Sequence, residues 1–339
     1  MAYHLPLYRQ EQMFEVLLNV KGRRITRSTL SRWLKQCADE LAILYEMMCK
    51  KILEGRIVLS DDTTMPFLQR GSGKAQTGCM WHFGGDDQHP YNIYKFAENG
   101  QGQTATDFLS DFFGFLLTDG SAKYNDALEA KDEDGNTATS ARCWAHVYRY
   151  FEDAKHAEEK LADYALGVIK SLFLVDDYAL TLPEDQCVEL RRRLSKPIID
   201  EFKVWLDEQT LTAAPTSLLR AVNYTIGLWP GLCQFIDHGF IKLHNNDSEN
   251  ALRAIVLGVK NHLFAGSPAG GQTTAILMTI VQTCRRLHID PEEYLANVLE
   301  RMPGTSLLDI EQFLPDKWKL RWDKTSATSV PPDNLQLSA

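Results

Sequence analysis

The sequence predicts an α/β protein: a sheet-bearing core interrupted by an all-helical insertion and preceded by a helical N-terminal extension. Three observations carry this. Short apolar or alternating runs cluster between residues 57 and 144, residues 145–243 show helical spacing with no strand signal, and helical spacing resumes from Asp247.

At the N-terminus, Met13, Phe14, Leu17 and Leu18 recur at helical spacing over residues 8–19, until Lys21-Gly22 breaks the pattern. Thr26 or Ser28 can cap a longer helix with Leu30, Trp33, Leu34, Leu41, Leu44 and Met48 on one stripe. Its start, residues 28–33, follows Arg23, Arg24 and Arg27 and includes Arg32. It reads equally as a helix-turn-helix recognition helix and as a hairpin with a solvated basic face. Strands are expected at 57–59, 79–83 and 91–96, a helix at 104–113, and further strands at 115–117 and 139–144. Three antiparallel strands followed by helix-linked strands match the ribonuclease H-like order. Later helices are expected at 247–263, 272–287 and 291–301, and the polar tail from Lys324 with Pro331-Pro332 is expected to be disordered. The resulting division is a helical DNA-binding-like segment (1–56), the first part of the core (57–150), the insertion (151–243), the remainder of the core (244–305) and a C-terminal extension (306–339).

A net charge of −9 excludes a surface uniformly coated in positive charge, but residues 1–35 hold seven Lys or Arg against two Glu. That local excess points to phosphate contact. The first residues do not form a secretory signal, and no apolar run approaches the roughly 20 residues that cross a bilayer. A cytoplasmic protein is expected, with no membrane partner. The seven cysteines are scattered without a CxxC pair, as suits free thiols in a reducing compartment.

The candidate chemistry rests on carboxylates. Asp61 follows the first expected strand, Asp119 follows the fourth, and Glu249 lies in the helix after the insertion. In a ribonuclease H-like sheet those strand ends are neighbours, and carboxylates there can clamp two divalent ions that stabilise phosphodiester cleavage. Hard oxygen ligands select Mg2+, for which Mn2+ can substitute. Each residue also has a plainer role: Asp119-Gly120 is an ordinary turn pair, and Glu249 with Asn246 as N-cap fits a capping box. Cys143-x-x-His146 has no second ligand pair at zinc spacing, so packing and hydrogen bonding are expected of it. Trp205 and Trp229 are expected in the core of the insertion, the alternative being a platform for an extruded base.

Several blocks then resemble one family. Residues 60–66 (Ser-Asp-Asp-Thr-Thr-Met-Pro) and 74–81, residues 118–128 around Thr-Asp-Gly, residues 143–146 (Cys-Trp-Ala-His) with Arg149 and Phe151, and residues 245–253 running into 258–267 resemble, in order, the transposases of the IS66 insertion-sequence family. The resemblance extends from about Leu5 to Trp318. It implies a DDE triad of Asp61, Asp119 and Glu249 as metal ligands and catalytic groups. It also implies a double-stranded DNA substrate at transposon ends and target, a homodimer or higher multimer on DNA, and accessory proteins from the same element. Arg23, Arg24, Arg27, Arg32, His146, Arg253 and Lys260 are the expected DNA contacts. The sequence departs from the family pattern at Asn250 and Val259, where arginine is usual, and at Ala254, His244 and Asp62, where proline, aspartate and glutamate are usual. Those changes weaken phosphate contacts more than metal binding. Relatives carry a coiled coil and a cysteine-containing zinc finger ahead of the block at residues 5–12, so a catalytic part without those segments is expected. The reaction implied is DNA cleavage followed by strand transfer. The competing readings are a ribonuclease H-like nuclease and a catalytically silent DNA-binding remnant.

Overall fold

A computed structural model describes residues 4–18, 25–69, 71, 73–131, 134–212, 216–262 and 265–328. Helices α1 (Leu7–Leu18) and α2 (Arg27–Ile52) open the chain, and Thr26 caps α2 by accepting the Thr29 N–H at 3.3 Å. Strands β1 (Ile57–Leu68), β2 (Ala75–Gly84) and β3 (Asn92–Ala97) follow, then α3 (Gln103–Phe108), β4 (Phe115–Thr118), α4 (Asn125–Glu129) and β5 (Thr139–Arg142). Between β5 and α10 the described chain is helical, with α5 (Trp144–Ala154), α6 (Glu159–Ala179), α7 (Glu184–Thr212), α8 (Ser217–Gly227) and α9 (Trp229–Leu232). The chain closes with α10 (Asn246–His262), α11 (Pro268–Arg286), α12 (Pro291–Arg301) and α13 (Pro315–Thr328). Among the described residues, no helix is long and apolar enough to cross a membrane.

The five strands form one mixed sheet of order β3-β2-β1-β4-β5, antiparallel across β3-β2-β1 and parallel across β1-β4-β5. Alternation along each strand sends side chains to opposite faces. Val58 and Leu116 face a core built with α2, α11 and α12, whereas Ile57, Leu59 and Leu117 face one built with α5, α6, α7 and α8. A third cluster joins Met65, Phe67, Met80 and Phe96 to Leu252 and Ile255 of α10. Helices α5, α6, α7 and α8 therefore cover one sheet face. Trp205 and Trp229 pack into that cover: Trp205 stacks on Phe202 with centroids 5.6 Å apart, and Trp229 meets the edge of Trp144 at 6.0 Å. Both are half-buried at the margin of that core.

Three expectations need correction. Strand β1 continues to Leu68, because its polar residues 60–64 pair with β2 in a long hairpin and Pro66 accepts the Ala265 N–H at 2.8 Å beyond the end of β4. Helix α3 stops at Phe108, ahead of the turn by which Gly114 leads into β4. Helix α13 runs to Thr328, past the expected start of disorder at Lys324; residues 329–339 lie outside the described residues.

Candidate active site

Parallel pairing brings the two aspartates level. Strands β1 and β4 are matched through Leu59↔Leu117, and Asp61 and Asp119 each lie two residues further along. Asp61 shares the parity of Leu59 and so projects from the sheet face that α5–α8 cover, and Asp119, just past the end of β4, lies near enough for its charge to act on Asp61. The expectation that Asp61 stands at a strand exit is corrected: it lies within β1, opposite His82 of β2. Asp119 does follow the end of β4, and Gly120 takes φ +93 in the turn, a left-handed conformation that suits glycine. Each aspartate is held by its own backbone. Asp61 Oδ1 accepts the Asp62 N–H at 2.8 Å, and Asp119 Oδ1 accepts the Ser121 N–H at 2.8 Å. The Asp62 side chain leaves the opposite face, where Lys123 Nζ donates to it at 2.6 Å and the Cys79 thiol at 3.1 Å.

Glu249 reaches the same region from α10. The chain enters that helix through Asn245, whose carbonyl accepts the Glu249 N–H at 3.2 Å and whose side-chain amide donates to the Ser60 carbonyl at 2.8 Å. The Cys143 sulfur accepts the Asn245 N–H at 3.2 Å, and burial pushes that thiol up. Ser248, fully buried, bonds His82 Nδ1 at 3.0 Å, while His82 Nε2 meets Asn92 Oδ1 at 3.0 Å. Neighbours of Asp61 and Glu249 are thereby tied together through buried hydrogen bonds, while Asn245 Oδ1 is buried without a partner among the described residues. The capping box that was the plainer alternative for Asn246 and Glu249 does not form. Helix α10 already includes Asn246, and the Glu249 carboxylate is engaged by Arg149 of α5 instead.

The electrostatics follow from this crowding. Burial pushes the Asp61 carboxyl up to about 7, with the charges of Asp119, Asp62 and Glu249 adding to the effect and the Asp62 N–H opposing it. His146 lies at the edge of the group, its Nε2 3.8 Å from Glu249 Oε1 and 3.3 Å from Arg149 Nη1. Burial, then the Arg149 charge, lowers its pKa, and its Nδ1 is buried without a hydrogen-bond partner among the described residues. Tyr224 of α8 donates to the Asp119 carbonyl and stacks on Tyr150 of α5 at 4.0 Å, so α8 holds this edge of the site directly.

The oxygen donors at these positions have the chemistry that Mg2+ or Mn2+ requires. Their present disposition is incomplete: among the described residues, no three His, Cys, Asp or Glu side chains stand close enough together to hold an ion. The guanidinium of Arg149 is the cation that Glu249 contacts.

The other expected contacts are distributed. Arg253 and Lys260 are exposed on α10. Arg27 and Arg32 are exposed at the start of α2 and line a groove of about 820 Å³ with Ala254 and Gly258 of α10 and Gly270 of α11. Neither Asp61, Asp119 nor Glu249 lines that groove. Arg23 and Arg24 lie outside the described residues. Sequence reasoning passed over Arg149, Asn245, Ser248, His82 and Tyr224 as site residues. For Arg149 a signal existed, since it lies three residues after His146 and shares its helix face.

The sheet, the level aspartates and the adjoining glutamate define an α/β protein with a carboxylate-lined edge at the meeting point of sheet, helices α5–α8 and α10. Residues 1–273 match the family described as Transposase IS66 family, and residues 279–315 match its IS66 C-terminal element. The chain belongs to the IS66 transposase family. Similar proteins of Sinorhizobium fredii are the uncharacterized proteins y4qI, 30% identical over 93% of this chain and 60% of its own length, and y4jD, 29% identical over 94% and 64%. A third, uncharacterized protein y4hP, is 28% identical over 96% of this chain and 61% of its own length. The chain thus spans about three fifths of the length of the curated relatives it matches.

Proposed function

We propose that this protein is a DDE-type DNA-strand transferase built on a ribonuclease H-like core, with Asp61, Asp119 and Glu249 as its catalytic carboxylates. The observation that carries the reading is that the parallel register of β1 and β4 brings Asp61 and Asp119 to corresponding positions two residues beyond Leu59 and Leu117, with the charges of Asp119 and Glu249 both acting on Asp61. The strand order and membership of the IS66 transposase family support it. Mg2+, bound through these carboxylates, would activate the attacking oxygen and stabilise the departing oxyanion. The chain's own part is positioning: Asp61 and Asp119 are fixed by neighbouring N–H groups, and the Ser60–Asn245 and His82–Ser248 bonds set the height of α10 against β1 and β2. In the proposed reaction, water attacks a phosphodiester at the element's end and frees a 3′ hydroxyl. That hydroxyl then attacks target DNA at the same carboxylates. Double-stranded DNA is the substrate; a multimer bridging two ends, accessory proteins of the same element and a cytoplasmic location complete the proposal.

A strand-transfer assay with a labelled transposon-end duplex and a supercoiled target tests this. Joined product is expected from the wild type with Mg2+. Asp61→Asn, Asp119→Asn and Glu249→Gln are each expected to lower the rate about a thousandfold, roughly 4 kcal/mol of transition-state stabilisation, with duplex binding retained. Cut DNA without joined product would indicate a nuclease, and binding without any cleavage a silent remnant.

A further inference from the structure

We propose that Arg149 is the resting counter-ion of Glu249 and exchanges that carboxylate for a DNA phosphate, so that substrate binding itself completes the set of metal-ligating carboxylates. This rests on the function proposed above and specifies when its metal site assembles.

Three observations and one general property of arginine lead to it. The three carboxylates are held differently: Asp61 and Asp119 are each fixed by a backbone N–H one or two residues ahead, whereas the Glu249 carboxylate is held by the long side chain of Arg149. Glu249 is therefore the member that can move. Its partner is not locked in either, because the Arg149 side chain is 48% exposed and that of Glu249 27%, which leaves the pair open to solvent and to a ligand. The ligand set is incomplete while the pair is closed, as no three candidate ligands among the described residues converge on one point. Finally, the exchange has little intrinsic bias: an arginine fork binds phosphate about as well as carboxylate, in the same two-pronged geometry.

The consequence is a defined order of events. Without DNA, Arg149 neutralises one of three crowded carboxylates in a chain of net charge −9, which limits mutual repulsion and disfavours a cation at Glu249. A phosphate arriving at the edge of α5 draws the guanidinium away. His146, whose Nε2 is 3.3 Å from Arg149 Nη1 and 3.8 Å from Glu249 Oε1, borders both states.

The test is Mn2+ binding followed by the electron paramagnetic resonance signal of the free ion, with and without a short duplex of arbitrary sequence. Removing the competing cation should tighten Mn2+ binding. Arg149→Gln is therefore expected to bind Mn2+ at least about threefold more tightly than wild type in the absence of DNA, while Arg149→Lys stays near wild type. Adding duplex should tighten wild-type binding and alter Arg149→Gln much less. In the Glu249→Gln background, the Arg149 substitution should have no effect. Equal or weaker Mn2+ binding by Arg149→Gln without DNA overturns the proposal, as does a wild-type affinity indifferent to duplex, a measurement that needs no variant to fold. If those results appear while Asp119→Asn still abolishes Mn2+ binding, the exchange fails and the metal-dependent function stands. Wild type that binds no Mn2+ with or without DNA overturns both.

Discussion

Asp61 and His82 are cross-strand partners on β1 and β2 whose environments shift them in opposite directions. Burial and neighbouring carboxylates raise Asp61 to about 7, while burial lowers His82 to about 4. For Asp61 the folded state holds its proton more tightly than the unfolded chain does, so its contribution to stability is full below about pH 4 and is lost as pH rises through 7. His82 works the other way: its contribution is full above about pH 6.5 and is lost as pH falls through 4. At roughly 1.4 kcal/mol per pH unit the two offset one another across the interval they share. Asp61→Asn leaves only the His82 slope, so it is expected to lose about 2 kcal/mol between pH 7 and pH 5 relative to wild type. Urea unfolding at those two pH values, with chelator present, measures this. Parallel profiles for wild type and variant would mean that Asp61 ionises as an ordinary carboxylate. The aspartate itself was legible in the sequence. Its altered titration was not, because that depends on which charges the fold brings near it.

At the scale of elements, the outer edge of β3 shows how the sheet is closed without another strand. The Asn92 and Tyr94 N–H groups donate to Thr283 and Thr279 side chains of α11 at 3.0 and 2.9 Å, and Gln272 donates to the Phe96 carbonyl at 3.0 Å. Thr279 and Thr283 are one helical turn apart and both buried, so one helix face serves as the pairing edge that an exposed strand lacks. Thr279→Val keeps the volume and removes the acceptor, leaving the Tyr94 N–H buried and unpaired. A loss of about 1–3 kcal/mol in unfolding free energy is expected, and a much smaller one for Thr279→Ser. A neutral valine variant would show that water replaces the hydroxyl. Helix α11 was recognisable from its helical spacing over residues 272–287, but its threonines read simply as helix residues until the strand beside them was placed. The length of β1 was hidden for a related reason: Ser60 to Thr64 carry no apolar signal, and the partner strand β2 supplies the pairing.

On the whole molecule, positive charge is found in two places that the fold brings to one groove: Arg27 and Arg32 on α2 line it, and α10, which bears Arg253 and Lys260, forms another wall. In a chain of net charge −9, such a concentration should dominate non-specific DNA affinity. Replacing Arg27 and Arg32 together by alanine is expected to flatten the dependence of log affinity on log salt by about 0.9 for each phosphate that is no longer neutralised. Filter binding or fluorescence anisotropy over a range of salt reads the slope. An unchanged slope would move the DNA path to Arg253 and Lys260.

The order of elements, the helical nature of the stretch between β5 and α10 and the candidacy of the two aspartates all followed from the amino-acid order, because periodicity, turn residues and strand ends are local properties. The family was legible there too, since several blocks of residues match in sequence. Packing in three dimensions was needed to show that Asp61 and Asp119 stand level, that Glu249 bonds Arg149 rather than capping its own helix, and that Asn245, Ser248 and His82 anchor α10 to the sheet. Arg149 and Glu249 are 100 residues apart in the chain, and Ser248 and His82 are 166 apart. No periodicity or spacing encodes such pairs; they arise when helices α5–α8 close over one face of the sheet and α10 returns beside β1.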